Sequence, residues 1–162
     1  MKMRRDPVTM HSFAQRASAF ASGAAIAALL VTASVADARD TRHKFPLEPA
    51  IAKAQASGQL APGIKMFFGT QKAGKPTAQL GPARTNKKTN FFNKTDQEGC
   101  EWAFLSAMIT MTQYAQRVGG NAIVNIRSNY KNEVFSSETE YSCGAGNVTG
   151  GTAFIGDIVK LP

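Results

Sequence analysis

The sequence predicts an α+β domain in which one main amphipathic helix packs on a mainly antiparallel sheet of about five strands. Three observations predict it. A helical stretch over residues 96–118 has a start signal, an apolar stripe and a Gly119-Gly120 stop. Short runs rich in β-branched and aromatic residues flank it on both sides. The segments between them are rich in Gly, Pro and Asn, the chemistry of turns.

Residues 1–38 read as an export signal. Lys2, Arg4, Arg5 and Arg16 precede an apolar run from Ala17 to Ala36, which ends in the small-x-small pattern of a cleavage site. Serine, threonine and glycine dilute that run, and alanine dominates it, so it suits a cleaved leader better than a membrane span. Residues 39–162 are then a single domain by length, periplasmic or secreted, with no transmembrane span left after signal removal.

Within that domain, residues 39–46 are polar and predict a flexible lead. Leu47 to Ala56 predicts a short helix, with Pro49 in its first turn and Gly58 as its stop. Ile64 to Phe68 suits a strand, Gly69 to Pro76 a loop, and Arg84 to Asn90 an irregular second strand after Gly81-Pro82. Thr95-Asp96-Gln97-Glu98 is a capping box, whose end side chains satisfy backbone donors that the first turn leaves orphaned. Cys100, Phe104, Met108, Met111, Ala115 and Val118 recur at helical spacing. Trp102, Leu105 and Ile109 widen that stripe and predict burial on more than one side. Ala122 to Arg127 is a strand, residues 130–137 are a polar loop, and Glu138 to Ala145 and Thr152 to Leu161 are two more strands joined through a Gly-rich hairpin.

Cys100 and Cys143 are the only cysteines. In an exported chain an even pair reads as a disulfide. It would close a loop of about 44 residues and stabilise by roughly 4 kcal/mol through the unfolded state. A metal site would need more ligands than two thiolates, and the single histidine after the leader, His43, is far away in sequence. No metal or other cofactor is predicted.

Charge is unevenly spread. Residues 42–94 hold ten Lys and Arg against one acid, Glu48, whereas residues 95–162 hold four bases and seven acids. If the basic half has a role, Lys65, Lys72, Lys75, Arg84, Lys87, Lys88 and Lys94 should share one face and meet an anionic surface: lipid headgroups, lipopolysaccharide or another envelope protein. The plainer reading is solubilising charge, since these bases lie in Pro- and Gly-rich sequence rather than along one helical stripe. Nucleic acid is the rival anion. No base-stacking aromatic pattern beyond Phe91-Phe92 accompanies the lysines, so no nucleic-acid partner is predicted.

Candidate chemistry is thin. Gly69-Thr70-Gln71-Lys72-Ala73-Gly74-Lys75 matches the start of a phosphate-binding loop, but Pro76 stands where a Ser or Thr should hold magnesium. His43, Glu138, Glu140 and Asp157 are scattered and show no catalytic spacing. The residues favour an exported non-enzymatic binding or structural module. A small periplasmic enzyme or a metal- or ligand-binding protein is the alternative.

The segment Gly119-Gly120-Asn121-Ala122-Ile123-Val124-Asn125-Ile126-Arg127, preceded by a helix and followed by a strand at Gly151-Thr152-Ala153, resembles the YbjQ-like domains and the C-terminal domain of RcsF-like envelope sensors. The resemblance covers about residues 98–161 and implies an α+β fold. RcsF-like sensors are lipoproteins with two disulfides, whereas this chain has one possible bridge and no lipidation cysteine. The chain after the leader also resembles a group of small exported proteobacterial proteins of unknown role. The shared stretches are Ala38-Arg39-Asp40-Thr41, Lys88-Thr89-Asn90, Trp102-Ala103-Phe104-Leu105-Ser106-Ala107 and Tyr141-Ser142-Cys143-Gly144-Ala145-Gly146. Such proteins often carry the label "excinuclease ATPase subunit". The residues here do not support it, having neither a complete phosphate loop nor zinc-cysteine clusters.

Overall fold

The computed structural model describes residues 39–162; the expected leader lies outside them. Six strands and two helices follow in the order β1 (Thr41–Pro46), α1 (Leu47–Ala56), β2 (Lys65–Phe68), β3 (Ala78–Asn90), α2 (Asp96–Arg117), β4 (Ala122–Ser128), β5 (Glu140–Ala145) and β6 (Thr149–Lys160). A single turn of 3-10 helix, Tyr130–Asn132, lies between β4 and β5. The α+β class holds, with six strands in place of about five.

The 12-residue strand β6 is the spine of the sheet. Along one side it pairs antiparallel with β3, from Ala78 opposite Lys160 to Asn90 opposite Thr149. Its other side is shared. β4 takes the C-terminal half, with Ala122 opposite Val159 and Ser128 opposite Phe154. β5 takes the start, with Gly144 opposite Gly151. β1 adds antiparallel to β5, and β2 adds to β4 as the one parallel pairing.

Two expectations are corrected here. The flexible lead is largely strand β1, in register with β5 from Thr41 opposite Ala145 to Pro46 opposite Glu140. Its alternation explains this: His43 and Phe45 are half-buried, with Phe45 turned toward Tyr141 at 6.0 Å between ring centres, while Arg42 and Lys44, which alternate with them, are exposed. Trp102 is 47% exposed rather than buried, because it sits about half a turn from the Cys100 and Phe104 positions that enter the core.

Helix α2 covers one face of the sheet. Thr95 Oγ1 accepts from the Glu98 N–H at 3.2 Å and starts the helix. Gly119, at φ +83°, ends it in the left-handed conformation that glycine adopts without strain. Gly120 then lies so close to β6 that a Cβ there would sit 2.4 Å from the Ile158 side chain. Phe104 is the hub of the buried layer, with ring centres 4.7 Å from Tyr141, 5.5 Å from Phe154 and 6.2 Å from Phe68. The Cys100–Cys143 disulfide, Cα to Cα 6.0 Å, ties the first turn of α2 to β5 as predicted. α1 packs beside α2 through Ala50 and Ala54. No helix among the described residues is long and apolar enough to cross a membrane.

Candidate functional site

Strand alternation sends every second residue of β6 away from the helices. On that open face lie Gly151, Ala153, Ile155, Asp157 and Val159. The rows running across the sheet are read from the pairing. Arg84 of β3 and Arg127 of β4 both stand opposite Ile155. Asn86 stands opposite Ala153, and the Asn129 N–H donates to the Ala153 carbonyl at 2.7 Å from the far side. Lys88 and Gly144 stand opposite Gly151. A trough results, with small residues on its floor and Arg84, Asn86 and Lys88 on one bank. Arg127, Asn129 and the Lys131-Asn132 turn form the other. The two arginines are two strand spacings apart, roughly 10 Å. A cavity of about 350 Å³ occupies the middle, lined by Arg84, Asn86, Asn129, Lys131, Asn132 and Ala153.

A β-bulge places Arg127 there. Between Val124 and Arg127 the β4–β6 register shifts, and Asn125 adopts φ +54°. The extra residue restores Ile126 to the core and turns Arg127 onto the open face, where strict alternation would have sent it to the helix side. Arg127 Nε is buried without a hydrogen-bond partner among the described residues.

A glycine shapes the other bank. A Cβ on Gly144 would lie 2.0 Å from the Tyr130 ring, so the ring rests on the bare backbone of β5. Arg42 lies 5.6 Å from the ring centre, and the Tyr130 hydroxyl donates to Asp40 at 3.1 Å. Lys131 also pairs with Asp40, and Arg42 pairs with Glu133. The hydrogen bond from Lys131, with that from Tyr130, holds the Asp40 carboxyl below its ordinary range. The hydrogen bond from Arg42 does the same for Glu133. This network pins the Tyr130–Glu133 turn to β1.

Of the seven bases expected on one face, the structure brings only some together. Arg84 and Lys88 line the trough. Lys65 opens β2 beside Ala122. Lys72 and Lys75 flank Ala73, which packs on the Ala122, Val159 and Leu161 patch at the end of the same face. Lys87, adjacent to Lys88 on a strand, points to the opposite face, and Lys94 lies in the turn before α2. The expectation of a single shared face is therefore corrected. None of the seven, nor Arg127, has a carboxylate within 4.0 Å among the described residues, unlike Arg39, Arg42, Lys53 and Lys131. Sequence reasoning missed Arg127, Asn129, Lys131 and Asn132, because only the β4–β6 pairing sets them across from Arg84.

The other candidates lie apart. His43 Nε2 is 2.8 Å from Asp96 Oδ2 at the start of α2, without the alignment of a hydrogen bond, and Arg39 pairs with the same carboxylate. Glu138, which precedes β5 rather than starting it, accepts from Thr70. Glu140 is exposed opposite Pro46. Asp157 accepts from the Asn125 amide at 3.1 Å and stands past the Ile155 end of the trough. The Gly69–Lys75 loop leads into strand β3, so no helix N-terminus follows it to face a phosphate. No set of three His, Cys, Asp or Glu side chains converges to hold a metal among the described residues. No known protein family, curated protein or solved structure matches this chain.

Proposed function

We propose that this chain is an exported, disulfide-bonded binding module of the cell envelope that meets an anionic envelope surface through the open face of its sheet. The observation that carries the reading is the set of bases on that face, Arg84, Lys88 and Arg127, which have no carboxylate partner among the described residues although the chain supplies acids elsewhere. The Cys100–Cys143 bond supports an oxidising compartment, periplasmic or extracellular.

The role is one of binding rather than catalysis, since His43, Glu138, Glu140 and Asp157 are distributed over both faces and both ends of the sheet. Exposed charges are screened beyond about 8 Å at physiological ionic strength, so attachment through this face should weaken steeply with salt. Co-sedimentation with native envelope membranes at low and high salt tests it. Arg84→Gln/Lys88→Gln should release the protein at lower salt than the wild type, while Lys87→Gln, on the opposite face, should not. Equal sedimentation of all three at both salts would leave the bases as solubilising charge.

A further inference from the structure

The trough is more selective than a basic patch. Its cavity interleaves cations with carboxamides: Arg84 and Asn86 on one bank, and Asn129, Asn132 and the Asp40-paired Lys131 on the other, with Lys88 and Arg127 added beside it by strand register. Resting on the binding role proposed above, we infer that this trough takes a short acidic oligosaccharide, with sugar hydroxyls on the asparagines and acid groups on the arginines.

The chemistry of the banks selects this class. A carboxamide presents both a donor and an acceptor, the complement of a hydroxyl that does the same. A guanidinium presents a planar fork that matches a carboxylate or a phosphate. Ala153 is only 6% exposed and Gly151 is buried, so the floor is recessed below the banks. From Gly151 to Ile155 it runs about 14 Å at the rise of a strand, longer than one pyranose ring. Asp157 stands beyond that end and disfavours an acid group there.

The other anions fit less well. Single-stranded nucleic acid binds where aromatic faces are free to stack on bases. Tyr130, at the edge of the trough, has one face on Gly144 and Arg42 near its ring. A lipid would need an apolar slot beside the cations for its chains; the floor offers only Ala153 and the half-buried Ile155, and the Ala122, Val159 and Leu161 patch farther along the face is itself buried.

Calorimetric titration of the disulfide-bonded protein tests the inference with five probes. Trigalacturonate and a phosphorylated glucosamine disaccharide are the two acidic sugars. Neutral chitotriose, hexaglutamate and phosphatidylglycerol vesicles are the comparisons. The expected result is binding of at least one acidic sugar in preference to chitotriose and hexaglutamate, with the better of the two identifying the acid group. Arg84→Gln should weaken that binding roughly tenfold, the size of one charge-assisted contact. Asn86→Ala should also weaken it, by several-fold, whereas Lys94→Gln should not. Hexaglutamate or vesicles binding as tightly as the sugars, with Asn86→Ala silent, would overturn the saccharide inference while keeping the anionic-surface reading. If none of the anionic probes binds, both fall.

Discussion

The two faces of this sheet are built from opposite materials. On the covered face, Phe68, Phe104, Tyr141 and Phe154 interlock under α2, and a disulfide joins helix to strand. On the open face β6 presents Gly151, Ala153 and a half-buried Ile155 between the carboxamides and Arg84, Lys88 and Arg127, which have no carboxylate partner among the described residues. Every second residue of one strand belongs to each face. If the open face binds as proposed, stability and recognition are separated by a single strand thickness, and substitutions on one face should leave the other's property largely intact.

The largest break in that comparison should come from the covered face. Phe104→Ala empties the centre of the aromatic cluster and should cost about 3–5 kcal/mol, read as a lower denaturant midpoint with an unchanged slope. Removing the bridge with Cys100→Ala/Cys143→Ala should cost roughly 2–5 kcal/mol, mainly by freeing the unfolded chain. If chemical denaturation of that variant matched the wild type, the disulfide would not be what closes this face. Gly144→Ala should be milder, about 1 kcal/mol, because the new methyl meets the tip of Tyr130 rather than backbone. It should lift that ring from β5 and shift the near-ultraviolet circular dichroism of tyrosine.

The smallest effect is a pH dependence. The carboxyls of Asp40 and Glu133 are both held low, by hydrogen bonds from Lys131 and Arg42. A lowered folded-state pKa means that their contribution is complete above the ordinary carboxylate range, near pH 4, and is lost as pH falls through the folded values below it. Burial pushes Glu101 up, but hydrogen bonds from Lys53 and Gln97 outweigh it and leave that carboxyl lowered too. These groups are mostly exposed, so the loss should be small. Acid titration of a Lys131→Met variant should show a flatter decline below pH 4 than the wild type. Identical acid limbs would remove the Asp40 pair from the account.

What could be read from the sequence follows the range of the interactions. α2 was legible because its cap, stripe and glycine stop lie within one segment, and the cysteine pair because its chemistry leaves few choices. α1 was legible for the same local reasons. β1 was not, since its pairing partner lies about a hundred residues away, and Phe45 alone makes a weak apolar period. Trp102 was misread by counting every large apolar residue into the stripe. The bases were read by composition, which ignores that neighbours such as Lys87 and Lys88 part company once they lie on a strand. Arg127 depends on a bulge, and Lys131 and Asn132 on left-handed backbone at φ +53° and +64°. None of these leaves a periodic signal.

If the open face binds as proposed, position on that face, and not net charge, should govern attachment. Two charge-matched variants test it most directly: Arg84→Gln/Lys88→Gln on that face, and Lys87→Gln/Lys94→Gln away from it. Each loses two positive charges; Arg84 and Lys88 are exposed whereas Lys87 and Lys94 are half-buried, so a denaturant midpoint for each variant accompanies the comparison and shows that both are folded. The measurement is the salt concentration that elutes each from an immobilised acidic polysaccharide. The open-face pair should elute at clearly lower salt, and the other pair near the wild-type position. Equal drops in both variants would show that the protein responds only to its total charge, and would rule out a binding role particular to the open face.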